Sequence, residues 1–148
     1  MHPILLYDGV CGLCNHLVQF ILRRDRAAIF RFASLQSTFA GRILARHGAN
    51  PAELDTVCVV LDYDASGANP DKGNQAPEIL LARFDAVLFI LQQLGGIWRS
   101  AAFVLRAIPR PLREWAYRVI ARNRYRIFGR YETCPLPSEE TRGRFLDV

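Results

Sequence analysis

Two hydrophobic periods alternate along this chain, one of strand type and one of helix type. Ile4–Tyr7 is a short, unbroken apolar run, and the Asp8-Gly9 pair after it turns the backbone. From Cys14 the apolar positions recur at Leu17, Val18 and Ile21, the i+3, i+4, i+7 spacing of one helix face. That helix is predicted to stop near Arg23 to Arg26, where cations suit the negative end of the helix dipole. Residues 29–35 read as a second strand, and 39–47 as a short helix with Phe39, Ile43 and Leu44 on one side and Gly48 as its C-cap. Residues 57–61, VCVVL, form a nearly continuous apolar run, as a strand covered on both faces requires.

A polar, Gly/Pro/Asn-rich loop fills 62–77 before a fourth short strand at Ile79–Ala82, expected to pair antiparallel with the third. Asp85 is the expected N-cap of a helix carrying Val87, Leu88, Leu91 and Leu94 and ended by Gly95-Gly96. Helical character resumes over 97–108 until Pro109 and Pro111 interrupt it. In the last long helix, about 111–128, Leu112, Trp115, Ala116, Val119 and Ile120 follow the helical template, so their stripe is expected to pack on the body.

The chemistry lies where the first strand hands over to the first helix, at Cys11 and Cys14 in CxxC spacing. A helix N-terminus presents backbone N–H groups and the positive end of the macrodipole, which favour a thiolate over a thiol. Cys14 begins the core-facing stripe and Cys11 lies one turn earlier, so Cys11 is expected to be the more exposed, attacking thiol and Cys14 the buried, resolving one. Asp8, three residues before Cys11, either shapes the loop as an Asx-turn or exchanges a proton with a thiol. Two other readings of the CxxC exist: half of a zinc site, or a pair of inert core thiols. The zinc reading lacks a second CxxC or an HxxxH, leaving only Cys58, Cys134 and three histidines as further ligands. Cys58 reads as a core thiol, and Cys134 as either a packed residue or a third redox thiol.

At 148 residues the chain fits one domain, with 1–96 as its redox core and 97–148 as a helical extension. No long uninterrupted apolar run occurs and the first residues, MHPILLYDG, lack the marks of an export signal, so a cytoplasmic protein with reduced thiols is expected. Charge changes this picture at one place. Between Arg99 and Tyr131 there are nine arginines against Glu114 alone, a local charge of +8 in a chain of net +5. That face is either a solvated helix surface or a docking site for an anionic partner: lipid headgroups at a membrane periphery, nucleic acid or an acidic protein. In the docking case the protein could be a non-catalytic adaptor whose CxxC is structural or zinc-bound.

The run Asp8-x-x-Cys11-x-x-Cys14 and the segment Phe32-Ala-Ser-Leu-Gln-Ser37 resemble the DCC family of thiol-disulfide oxidoreductases. Further blocks carry the resemblance to the far end: Ile108-Pro-Arg-Pro-Leu-Arg113, Ala121-Arg-Asn-Arg-Tyr125, Phe128-Gly129, Cys134-x-x-Pro137 and Arg144-Phe145-Leu146. The resemblance implies an α/β, thioredoxin-like fold, with a central four-stranded mixed sheet flanked by helices and here an added arginine-rich C-terminal helical segment. It also implies disulfide exchange with a protein or small-thiol disulfide, a thiol or reductase as electron donor, and no cofactor beyond the Cys11/Cys14 disulfide. Asp8, Cys11 and Cys14 are the matching catalytic positions, with Gly12, Leu13, Asp55 and Thr56 the expected substrate contacts. One departure is notable. Thioredoxin-like proteins carry a proline just before the third of these strands, where this chain reads Leu54-Asp55-Thr56.

Overall fold

The apolar run at Ile4–Tyr7 becomes β1, buried at every position because it lies inside a sheet with helices on both faces. The computed structural model describes residues 2–49, 57–61, 79–129 and 138–146. After β1 come α1 (Gly12–Arg24), β2 (Arg31–Ser34), α2 (Thr38–Arg46), β3 (Cys58–Leu61) and β4 (Ile79–Ala82). The chain closes with α3 (Arg83–Leu94), α4 (Gly96–Ala107), α5 (Arg110–Phe128) and the single turn α6 (Glu139–Arg142).

The sheet order is β2-β1-β3-β4. β1 runs parallel to β2, with Leu5 opposite Phe32, and antiparallel to β3, with Leu5 opposite Val59; β3 and β4 form the expected antiparallel pair. Alternation along the strands separates two cores. Leu5, Tyr7, Phe32 and Val59 face one side, with Cys14, Val18 and Ile21 of α1 and Ala86 and Ile90 of α3. Ile4, Leu6, Ala33, Cys58 and Val60 face the other, under Ala40, Ile43 and Leu44 of α2. This mixed sheet, with α1 and α2 on opposite faces, is the α/β thioredoxin-like arrangement.

Local signals explain most boundaries. Ser37 caps α2, its hydroxyl accepting the Ala40 N–H at 3.1 Å. Gly95 and Gly96, at φ 69° and 57°, separate α3 from α4 in a conformation that favours glycine. Two expectations need correction. Asp85 is not an N-cap: β4 runs directly into α3, Ala82 occupies the cap position, and Asp85 sits in the first turn, where its charge suits the dipole. The stripe predicted to pack on the body is also split. Ala116 lines a cavity against α1 and α3, Ile120 lines it at its exposed edge, and Leu112, Trp115 and Val119 point outward and are exposed.

The segment after α6 returns to the sheet. The outward-facing N–H of Phe32 donates to Arg144 O, and Leu146 N–H donates to Phe32 O, both at 2.8 Å, so 144–146 adds a parallel bridge beside β2. Phe145 stacks on Phe32, and the Arg144 guanidinium pairs with buried Asp25 and donates to Phe30 O. Asp25 also accepts the Ile29 and Phe30 N–H groups, which fixes the turn from α1 into β2.

Candidate active site

Asp8, Cys11 and Cys14 are brought together by the turn that joins β1 to α1. Cys11 is the N-cap of α1, with an extended backbone, and its own N–H donates to Asp8 O at 3.2 Å. Asn15, one turn into the helix, ties the turn down: its side-chain amide donates to Gly9 O at 2.8 Å and to Cys11 O at 2.9 Å. Cys14 lies one turn above Cys11, at the head of the buried stripe.

Asp8 is buried, and both of its carboxylate oxygens accept hydrogen bonds. Oδ1 accepts Val10 N–H at 3.1 Å, which is the predicted Asx-turn, and the Gln36 amide at 2.8 Å. Oδ2 accepts the Tyr125 hydroxyl at 2.6 Å. A buried carboxylate needs such donors, and these three come from the CxxC loop, the β2–α2 turn and α5. Gln36 in turn accepts Gly9 N–H at 3.1 Å and the Ser34 hydroxyl. Gln36 and Tyr125 are the functional candidates that residue-by-residue reading missed. Their signal was present only as membership of two segments that carry the family resemblance.

The expected difference in exposure between the thiols is corrected. Cys11 is 0% exposed and Cys14 4% exposed, so neither is an open surface thiol. Both belong to the core cluster with Tyr7, Val18 and Phe145, and the end of α5, which nothing local to the CxxC announces, is bonded to the same turn. Gly12 N–H, one of the donors at the start of α1, is taken by Gly129 O at 3.1 Å, and Tyr125 holds the last turns of α5 to Asp8. Of the expected substrate contacts, Gly12 is therefore buried against the end of α5. Leu13, together with Cys14, Leu17, Val57, Ala116 and Ile120, lines an almost wholly apolar cavity of about 240 Å³. Asp55, Thr56 and Cys134 lie outside the described residues, as does the 62–77 loop. Cys58 is buried on the other face of the sheet, under α2, away from the pair.

Removing one donor from a buried carboxylate costs roughly 1.5–3 kcal/mol. Tyr125→Phe is expected to loosen the end of α5 from the turn and to raise the alkylation rate of Cys11 by about tenfold, measured by mass spectrometry after timed exposure to iodoacetamide. An unchanged rate would show that Tyr125 does not hold the cover in place.

Among the described residues, no group of three or more His, Cys, Asp or Glu side chains is placed to hold a metal ion. No helix among them is long and apolar enough to cross a membrane.

A family model described as DCC1-like thiol-disulfide oxidoreductase matches residues 5–130. The chain is 35% identical over 144 residues to the uncharacterized protein YuxK of Bacillus subtilis, covering 97% of this chain and 93% of that one. It is 34% identical over 134 residues to a chloroplastic DCC family protein of Arabidopsis thaliana, covering 90% of this chain and 69% of that one. No solved structure matches it. The two segments that supply Gln36 and Tyr125 to the Asp8 carboxylate both fall inside the matched span, and the chain belongs to the DCC1-like thiol-disulfide oxidoreductase family.

Proposed function

We propose that the protein exchanges disulfides through Cys11 and Cys14. The observation that carries this reading is the position of Cys11 as N-cap of α1, one turn from Cys14, in a turn clamped by Asp8 and Asn15. The Cys11 thiolate attacks one sulfur of a substrate disulfide, forming a mixed disulfide and releasing the other sulfur as a thiolate. The Cys14 thiolate then attacks the Cys11 sulfur and releases the second substrate thiolate. Two electrons have passed to the substrate, Cys11 and Cys14 are bonded to each other, and a dithiol donor must reduce them before the next turnover.

Asp8 acts here as a positioning residue. Its oxygens are occupied by the groups that shape the loop, which supports a structural part in the site over direct proton transfer. The apolar cavity beside Cys14, lined in part by Leu13, accepts an apolar side chain of the substrate. Because both sulfurs are covered, exchange requires the end of α5 to yield or the substrate to enter through this cavity.

The test is a redox titration of metal-free protein in thiol buffers of graded potential, with alkylation and mass spectrometry reading each cysteine. A reversible two-electron transition confined to Cys11 and Cys14 is expected. Absence of a disulfide at every potential, or protection of both thiols by stoichiometric zinc, would overturn the proposal and favour a binding module instead.

A further inference from the structure

α4 and α5 turn apolar side chains away from the body. Ile97 and Phe103 of α4 are each 77% exposed and Trp115 of α5 is 63% exposed, with Val104, Leu112 and Val119 exposed beside them. Helical spacing places Ile97, Ser100 and Val104 along one outward line of α4, with Phe103 and Ala107 next to it. The opposite side of the same helix is packed: Trp98 meets Phe20 edge-on at 4.8 Å and Ala102 is buried. On α5, Trp115, Arg118, Val119, Arg122 and Arg126 share the outward side, and Ala116, Tyr117 and Ala121 line the cavity on the other side.

We propose that the outward sides of α4 and α5 together dock the protein on an anionic bilayer surface. Charge identifies the occupant. Residues 96–129 carry eight arginines and one acidic residue, Glu114, which lies 4.0 Å from Arg110 and 3.8 Å from Arg118. Two copies facing each other through this surface would oppose arginine to arginine, which disfavours a self-complementary dimer. A nucleic-acid face uses cations with aromatic or polar groups to follow phosphates and bases, and exposed Ile97, Val104 and Val119 have no part in that. On α5 the cations interleave with exposed Trp115 and Val119, and α4 adds exposed Ile97, Phe103 and Val104; such a set fits a headgroup layer, where the apolar tips enter the acyl boundary and the guanidinium groups meet lipid phosphates. The surface includes neither thiol, and vesicle partition is read without any disulfide substrate, so its failure and that of disulfide exchange are separately visible.

The experiment is sedimentation of the full chain with phosphatidylcholine vesicles and with mixed phosphatidylcholine and phosphatidylglycerol vesicles. Partition into the mixed vesicles is expected, falling as salt rises, with the neutral vesicles binding at least about tenfold more weakly. The triple Arg118→Gln, Arg122→Gln, Arg126→Gln variant should lose about a hundredfold, and the pair Phe103→Ser, Trp115→Ser about tenfold or more. All five positions are exposed, so both variants should keep the far-UV circular dichroism of the parent. In Trp98→Phe protein, Trp115 is the remaining tryptophan and its emission should shift to the blue on the mixed vesicles. Three results would overturn the proposal: no partition at low salt, partition that both variants leave intact, or a solution dimer broken by the Phe103/Trp115 pair. Binding of a DNA duplex that survives the Phe103/Trp115 changes, without vesicle binding, would do the same.

Discussion

Cys11→Ser is expected to reduce disulfide turnover by about 10³-fold or more, because a serine hydroxyl is a far weaker nucleophile than a thiolate and forms no mixed disulfide. Cys14→Ser should behave differently. The first attack still occurs, the resolving step does not, and substrate accumulates covalently on Cys11, visible as a mass increase that a reductant removes. The pair of results assigns the roles independently of exposure, which is needed because both sulfurs are buried and Cys14 is the one beside the cavity. Full activity in Cys11→Ser would refute disulfide exchange through this residue. Trapping on Cys14 in Cys11→Ser protein would move the first attack to Cys14.

The largest stability effect is expected at Arg144. Its guanidinium pairs with Asp25 in a site where the two side chains are 13% and 3% exposed, so removing the cation leaves a buried, unpaired carboxylate. Breaking such a pair costs about 3–5 kcal/mol, and in a domain of this size Arg144→Met should lower the melting temperature by about 10 °C or more. Asp25 also holds the Ile29 and Phe30 N–H groups, so Asp25→Leu should be at least as damaging. The double variant should be less destabilised than the sum of the two, since no charge is then left unpaired. Additive losses in a thermal double-mutant cycle would show that the pair is not coupled.

The elements were legible where the apolar period was strong. The first and fourth strands have the bounds read from the sequence, and the helices differ from it by a few residues, because burial on one or two faces fixes those patterns. Of the three corrected details, Asp85 failed locally, because β4 runs straight into α3 and leaves it in the first turn, and the other two failed for tertiary reasons. Leu112, Trp115 and Val119 have helical spacing, but spacing does not say which of two apolar sides meets the body. Cys11 starts a helix, and sequence gives no sign that the thiol joins the core with Tyr7 and Phe145 while the end of another helix is bonded to its turn. Of the candidate site, Asp8, Cys11 and Cys14 were legible as residues that one turn brings together. Its supporting bonds were not, since Asp8 lies 28 residues from Gln36 and 117 from Tyr125 and no local pattern joins positions so far apart.

The return of residues 144–146 to β2 also bears on self-association. An uncovered strand offers its N–H and C=O groups to any passing chain and invites edge-to-edge polymerisation. Here the outward amide and carbonyl of Phe32 are already paired, and the Phe145 ring stacks on the Phe32 ring. A strand from a second molecule would have to expel this segment, and with it the Arg144 partner of Asp25, before it could add. The three residues therefore serve as a stopper against runaway sheet growth.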